Sequence, residues 1–370
     1  MNTTTLFLAG DVMTGRGLDQ AMAHPGEAAL HEPSIRDARK YVALAEAAHG
    51  PIPAPISSAY PWGDALAVLG AMRPDVRIVN LETSVTTSNA WCRGKEIHYR
   101  MHPVNAGCLT AAGIQVATLA NNHTLDWGRD GLVETLETLR QAGIQAVGAG
   151  RNPQEATRPA IVVPVAPDRR SGRVLVYAVG SVTSGIPVDW AVSDRRAGLE
   201  LVSALDEATA DGLCARLAAM KRPGDIAVIS IHWGTNWGFD VPDAFVGFAH
   251  RLVEGGFDLI HGHSAHHVRP IEVHRGRLIL YGCGDLIDDY EGIAGHGRYR
   301  SDLGIMYFPT VELGTGRLVG LAMVPMQMRR FRLCHVDDDG ERWLSDTLSR
   351  ISRGFGCTVE RTRQGVLTLR

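Results

Sequence analysis

The chain contains no Cys-x-x-Cys pair: Cys92, Cys108, Cys214, Cys283, Cys334 and Cys357 are scattered along 370 residues. This spacing excludes a zinc ribbon and a small disulfide scaffold and predicts reduced, mostly buried thiols. No apolar run approaches the roughly 18–20 residues needed to span a bilayer. The opening MNTTTLFLAGD lacks the basic n-region of a secretory signal. A cytoplasmic protein without membrane contact is therefore expected. Net charge is also scarce: 37 Lys and Arg against 40 Asp and Glu leave −3, too little for a field that would gather nucleic acid. Internal repeats and low-complexity tracts are absent.

What is present is a globular composition, 45% hydrophobic and 21% charged, with 41 glycines for tight turns. The length suits one large α/β domain or two smaller ones. Apolar runs rich in β-formers predict strands at 5–9, 76–80, 116–119, 146–148, 174–179, 226–231, 259–260 and 278–281. Helical patterns alternate with them at 64–72, 129–141, 205–220 and 243–254, the signature of strands covered by helices. Two further strands around the turn Gly314-Thr315-Gly316 and a final helix at 341–352 complete the pattern. The stretch 24–61, with Pro51, Pro53, Pro55 and Pro61, is the least regular and reads as a lid, a binding insertion or a surface spacer.

Polar residues recur at one place in this pattern. Gly10-Asp11, Asn80-Leu81-Glu82, Asn121-Asn122-His123, His232-Trp233-Gly234 and the cluster His261-Gly262-His263-Ser264-Ala265-His266-His267 each follow a predicted strand. In open α/β sheets that edge is where ligand sites form. One such residue is explained by a helix cap or a turn; five in succession point to a common site. Carboxylates, an amide oxygen and imidazoles make a mixed O/N donor set suited to Mn²⁺, Fe or Zn²⁺.

Taken in order, these motifs, with Asn121-Asn122-His123-Thr124-Leu125-Asp126-Trp127-Gly128, resemble the calcineurin-like metallophosphoesterases and, more closely, their poly-γ-glutamate capsule-synthesis (CapA) branch. The run Tyr281-Gly282-Cys283-Gly284-Asp285 and the segment Asp289–Ile293 with Gly295-His296 also look like that branch. The resemblance covers roughly residues 6–308 of the chain. It implies a single calcineurin-like domain over 1–370, a four-layer α/β/β/α sandwich with metals at one sheet edge, a lid near 24–61 and a helical tail at 340–370. It further implies Asp11, Glu82, Asn122, His232, His263 and His266 as ligands to one or two divalent ions, with Mn, Zn, Fe, Ca and Mg not separated. His123 is similar to the family's substrate-contacting catalytic histidine. One departure stands out: Asp11-Val12-Met13 puts a thioether where phosphoesterases carry the histidine of Asp-x-His, and methionine is a poor ligand for such ions.

Within the branch, the chain resembles the lasso-peptide epimerase class, which implies metal-assisted inversion of a Cα centre in a ribosomally made precursor peptide, with or without a leader-peptide-binding protein as partner. Such chemistry needs a stabilised carbanion and an acid/base group on each face. His296 in Gly295-His296-Gly297, with Asp11, His123 and Asp289, are the candidates. Trp233 and Trp237 are candidate peptide-binding aromatics, and Arg93 and Arg100 candidate carboxylate clamps. The alternative is a metal-dependent phosphoesterase or amide and γ-glutamyl hydrolase. A third reading is a non-enzymatic accessory that binds a polymer or peptide.

Overall fold

Thr3–Val12, with its unbroken apolar run at Leu6–Ala9, is a central strand of a ten-stranded sheet in the computed structural model. The structure describes residues 2–164, 172–293 and 295–370. The strands Thr3–Val12, Val76–Leu81, Val116–Thr118 and Gln145–Val147 run parallel to one another. Leu303–Glu312 and Leu318–Met328 extend this sheet antiparallel on the other side of Thr3–Val12. A seven-stranded sheet carries Val174–Ser181, Ile226–His232, Leu259–His263 and Arg277–Leu280, also parallel.

Alternation along the strands sorts the side chains into three cores. Leu6 and Leu8 join Val174, Val176, Val228 and Leu278 from the other sheet. Phe7 and Ala9 point the opposite way, toward Leu69, Leu109, Leu132 and Leu139 of the helices. On the far side of the second sheet, Leu175, Ile229 and Ile260 pack against Leu213, Leu217, Phe248 and Leu252. Strands buried on both faces must be apolar at successive positions, which is why they read as continuous runs.

Five elements differ from expectation. The Leu259–His263 strand continues past Ile260, because each of its next residues pairs with the neighbouring strand, ending at His232 beside His263. His232 and Asp11 likewise lie inside strands and not after them. The stretch 24–61 holds a helix, Arg39–His49, which buries Tyr41 and Ala45. The tail is helical only at Asp338–Ser352 and the 3-10 turn Arg353–Phe355 that follows it; the Asp337 side chain accepts from Gly340 N at 2.9 Å and caps the first turn. Beyond it, Val359–Arg361 and Leu367–Leu369 form a hairpin that adds to the first sheet through Leu367 and Thr368. No described helix is long and apolar enough to cross a membrane.

Candidate metal centre

The centre forms where the strand ends of the two sheets meet. Gly10 makes this possible: a Cβ there would fall 1.8 Å from the Gly284 carbonyl oxygen. The close approach lets Asp11 N donate to that oxygen at 3.0 Å, and it sets Asp11 beside Asp285 in a parallel pair.

Asp11 belongs to two donor groups. In one, donor atoms of Asp11, His232 and His263 lie within 4.8 Å of one another; in the other, those of Asp11, His266 and Asp285 do. The imidazoles of His232 and His263 meet Nδ1 to Nδ1 at 2.8 Å, and His263 Nδ1 is 3.8 Å from Asp11 Oδ1. Asn122 Oδ1 is 3.0 Å from His232 Nε2. His266 Nδ1 is 3.0 Å from both Asp285 oxygens. Glu82 is linked to Asp11 through Asn80, whose Nδ2 donates to Asp11 Oδ1 at 2.7 Å and to Glu82 Oε2 at 3.2 Å. Four of the six residues that the resemblance implies as ligands, Asp11, His232, His263 and His266, therefore fall into these two groups with Asp285, while Asn122 and Glu82 are tied to them by hydrogen bonds.

Asp285 answers the question raised by Met13. The Met13 side chain is fully buried, and its sulfur accepts a hydrogen bond from Tyr290 OH at 3.5 Å. A neighbouring strand sets the Asp285 carboxylate beside Asp11, where it can serve in place of the missing imidazole. The sequence signal was Gly284-Asp285, the same dipeptide as Gly10-Asp11; its meaning depends on a pairing 274 residues apart.

The electrostatics fit a cation. Burial, and then the charge of Asp285, push the Asp11 carboxyl up to about 7, and burial with Asp11 raises Glu82 as well. Carboxylates crowded together without water repel one another until a positive charge arrives. Burial, reinforced by neighbouring imidazoles, holds His232 and His263 well below the usual histidine range, which keeps them neutral as ligands must be. At His266, burial is outweighed by Asp285, which lifts the imidazole to about 9; a metal must displace that proton. O and N donors in this mixture suit Mn²⁺, Fe or Zn²⁺.

The remaining histidines of the cluster separate by their bonds. His261 has both nitrogens engaged, Nε2 at 2.9 Å from Ala9 O and Nδ1 at 3.1 Å from Ser230 Oγ, so it braces the strands. His267 Nε2 accepts from Gly238 N at 3.1 Å, and its ring stacks on Tyr299.

Beside the centre, His123 Nδ1 is 2.6 Å from Asp126 Oδ2. Lys95 Nζ bonds Asp126 Oδ1 and the Asn122 carbonyl and is 2.9 Å from His123 Nδ1. His123 Nε2 is 3.7 Å from Glu82 Oε1. Burial pulls His123 down to about 4. In the sequence nothing local links Lys95 to Asp126, 31 residues away.

A cavity of about 860 Å³ opens from this point, lined by His123, His266, Tyr99, Tyr290, Trp237 and His296 among others. His296 stacks on Trp237 with centroids 3.8 Å apart, so both form its wall. Arg16 is the one Lys or Arg among the described lining residues, against Glu32, Asp288, Glu291 and Asp302.

Four expected site residues fall elsewhere. Trp233 is buried between Phe245 and Tyr281, its indole N–H donating to Tyr281 O at 3.0 Å. It is a core residue because its neighbour in the ladder, His232, takes the site-facing position. Trp233→Ala is expected to cost about 3–5 kcal/mol of stability, read by denaturant unfolding, while the folded fraction keeps its metal capacity. Arg100 is buried over the Trp127 ring at 3.8 Å and donates to Ser88 O and Asn89 Oδ1, both at 2.8 Å. Arg93 is exposed beside Trp91 and does not line the cavity. Asp289 Oδ2 accepts from Arg16 Nε at 3.0 Å and from Gly17 N at 2.8 Å. Its lone pairs are committed to a buried cation, which removes it from the acid/base candidates.

The protein-family model described as bacterial capsule synthesis protein PGA_cap matches residues 5–290. The chain is 46% identical over 359 residues to a probable polyglutamine synthesis accessory protein of Mycobacterium tuberculosis, covering 97% of this chain and 93% of that one. It is 27% identical over 240 residues to the PGA biosynthesis protein CapA of Bacillus subtilis, covering 64% of this chain and 58% of that one. Among solved structures, a 5'-nucleotidase precursor from Thermus thermophilus superposes with a TM-score of 0.48 at 14% identity, covering 92% of this chain and 57% of that one.

Proposed function

We propose, from the premise that the chain belongs to the bacterial capsule synthesis protein PGA_cap family, that it is a metal-dependent hydrolase of amide bonds in a glutamyl or glutaminyl chain. The observation that carries this reading is the pair of donor groups sharing Asp11 beside the His123–Asp126 pair. We read the fold as a four-layer α/β/β/α sandwich, a reading supported by the three cores.

Bound ions would polarise the scissile carbonyl and make water more acidic. Asp126 holds the Nδ1 proton of His123, so the neutral ring offers a lone pair at Nε2. His123 takes a proton there and returns it to the leaving nitrogen, converting amide and water to acid and amine. Lys95 fixes Asp126 and the Asn122 carbonyl, and so positions both a ligand and the proton carrier.

The cavity lining favours an amide over a phosphate ester. Outside the metal centre a phosphate group would need a further cation or N–H donor, and the Arg16 guanidinium in the described lining is already engaged by Asp289 and Glu32. The acidic lining also favours glutaminyl over free glutamyl side chains next to the bond. The names of the relatives agree with a polymer of this kind and give the peptide-epimerase reading no support.

The test incubates the Mn²⁺- or Zn²⁺-loaded full chain with glutaminyl and γ-glutamyl oligopeptides and with a phosphate monoester in D₂O, followed by mass spectrometry. New amine ends are expected, with kcat lowered about 10²–10⁴-fold in His123→Ala. Phosphate release without amide cleavage, or deuterium at a Cα without cleavage, would overturn the reading, the latter in favour of epimerisation of a precursor peptide.

A further inference from the structure

A second group of ligand-type side chains lies apart from the centre. His250 and Glu254 are one turn apart on the helix Asp243–Glu254 and so share a face. Glu272 and His274 are two residues apart on the edge strand Ile271–His274 and share a face there. The two faces meet. His250 Nε2 is 2.7 Å from Glu272 Oε1, His274 Nε2 is 3.2 Å from Glu254 Oε1, and His274 Nδ1 is 3.9 Å from Glu272 Oε1. The imidazoles lie side by side, with centroids 3.7 Å apart and planes 10° from parallel. One donor atom from each of His250, Glu272 and His274 falls within 4.8 Å of the other two.

The group has an outer partner as well. Tyr281 OH donates to the second oxygen of Glu272 at 2.7 Å, which fixes the carboxylate with Oε1 toward the imidazoles, as outer-shell bonds do at metal sites. His274 pairs with Arg277, and Leu278 with Leu259, so the group sits where these strands begin. His263 lies at the other end of Leu259–His263, and the two sites are therefore separate.

We propose that His250, Glu272 and His274 bind one divalent ion of the Zn²⁺, Ni²⁺ or Cu²⁺ class, with Glu254, which also pairs with Arg275 at 2.9 Å, as an outer partner of His274. Two imidazoles with a carboxylate select such borderline ions; Ca²⁺ and Mg²⁺ favour oxygen-only sets. The ion bridges the helix to the edge strand and has no part in the hydrolytic reading above.

The test titrates chelator-treated full chain with Zn²⁺ against a chromophoric competitor, using wild type, His250→Ala, His274→Ala and Asp11→Asn. One class of zinc site is expected to weaken at least about tenfold in each histidine variant, by comparison with the loss of outer-shell partners, and to persist in Asp11→Asn. Glu254→Gln, at the solvent-facing helix end, is expected to weaken the same class and serves if an imidazole variant fails to fold. Unchanged zinc count and affinity in the folded variants of this group would overturn the proposal, as would loss of that class in Asp11→Asn alone.

Discussion

Asp11→Asn is expected to empty the candidate centre of metal and to abolish the proposed hydrolysis, because this one carboxylate belongs to both donor groups. The substitution keeps the size of the side chain and an oxygen to accept from Asn80, but it removes the negative charge and replaces the second oxygen with an NH₂ that cannot ligate a metal. Loss of affinity should exceed the roughly 10–100-fold typical of removing an outer partner; elemental analysis after dialysis reads it. Without metal, stability should move the other way. Burial and Asp285 raise the Asp11 carboxyl from 3.8 to about 7, so between those values the folded chain holds a proton that the unfolded chain has lost. Stability of metal-free wild type then falls as pH rises through this window. Metal-free Asp11→Asn lacks that loss and should melt higher than metal-free wild type at pH 7 and above. Thermal unfolding at several pH values in chelator checks the sign.

Asp289→Ala is expected to destabilise the fold by about 3 kcal/mol, the lower end for breaking a buried ion pair, because one carboxylate partner of Arg16 remains. The Arg16 guanidinium it pairs with is buried against the Tyr41 ring at 3.8 Å and the Tyr99 ring at 4.4 Å. Glu32 Oε1 at 3.1 Å and Tyr41 OH at 2.9 Å would remain as partners, and the Gly17 N–H would lose its acceptor. Denaturant unfolding should register the loss while the folded fraction retains metal. Had Asp289 carried a proton to substrate, the variant would keep its stability and lose turnover.

The residues that sequence made legible share one property: their role is written in the strand that carries them. Asp11, His232 and His263 close apolar runs that can only be strands buried on both faces, so their position at a sheet edge follows from the run itself. Asn122 and Glu82 come with the neighbouring strands of the same edge. Residues whose role depends on a distant partner were opaque. Asp285 acquires its place from pairing with Asp11, and Lys95 from Asp126 across a loop. Trp233 and Trp237 look equivalent in His232-Trp233-Gly234-Thr235-Asn236-Trp237, yet one faces Phe245 and the other His296. Alternation separates them only once His232 is known to point into the centre. Arg100 and Asp289 illustrate the same limit in charge: each suggested substrate binding or proton transfer, and each is consumed by a neighbour within the protein. The end of the tail departs from a helix because its hairpin is held by the strand Leu318–Met328, a pairing that no local pattern announces.

Anomalous diffraction from crystals grown with Mn²⁺ or Zn²⁺ tests the shared carboxylate most directly. Two peaks are predicted on either side of Asp11, one among His232, His263 and Asn122 and the other between His266 and Asp285. A single peak that Asp11 does not touch, or no peak at Asp11 in protein that cleaves its substrate, would contradict the account.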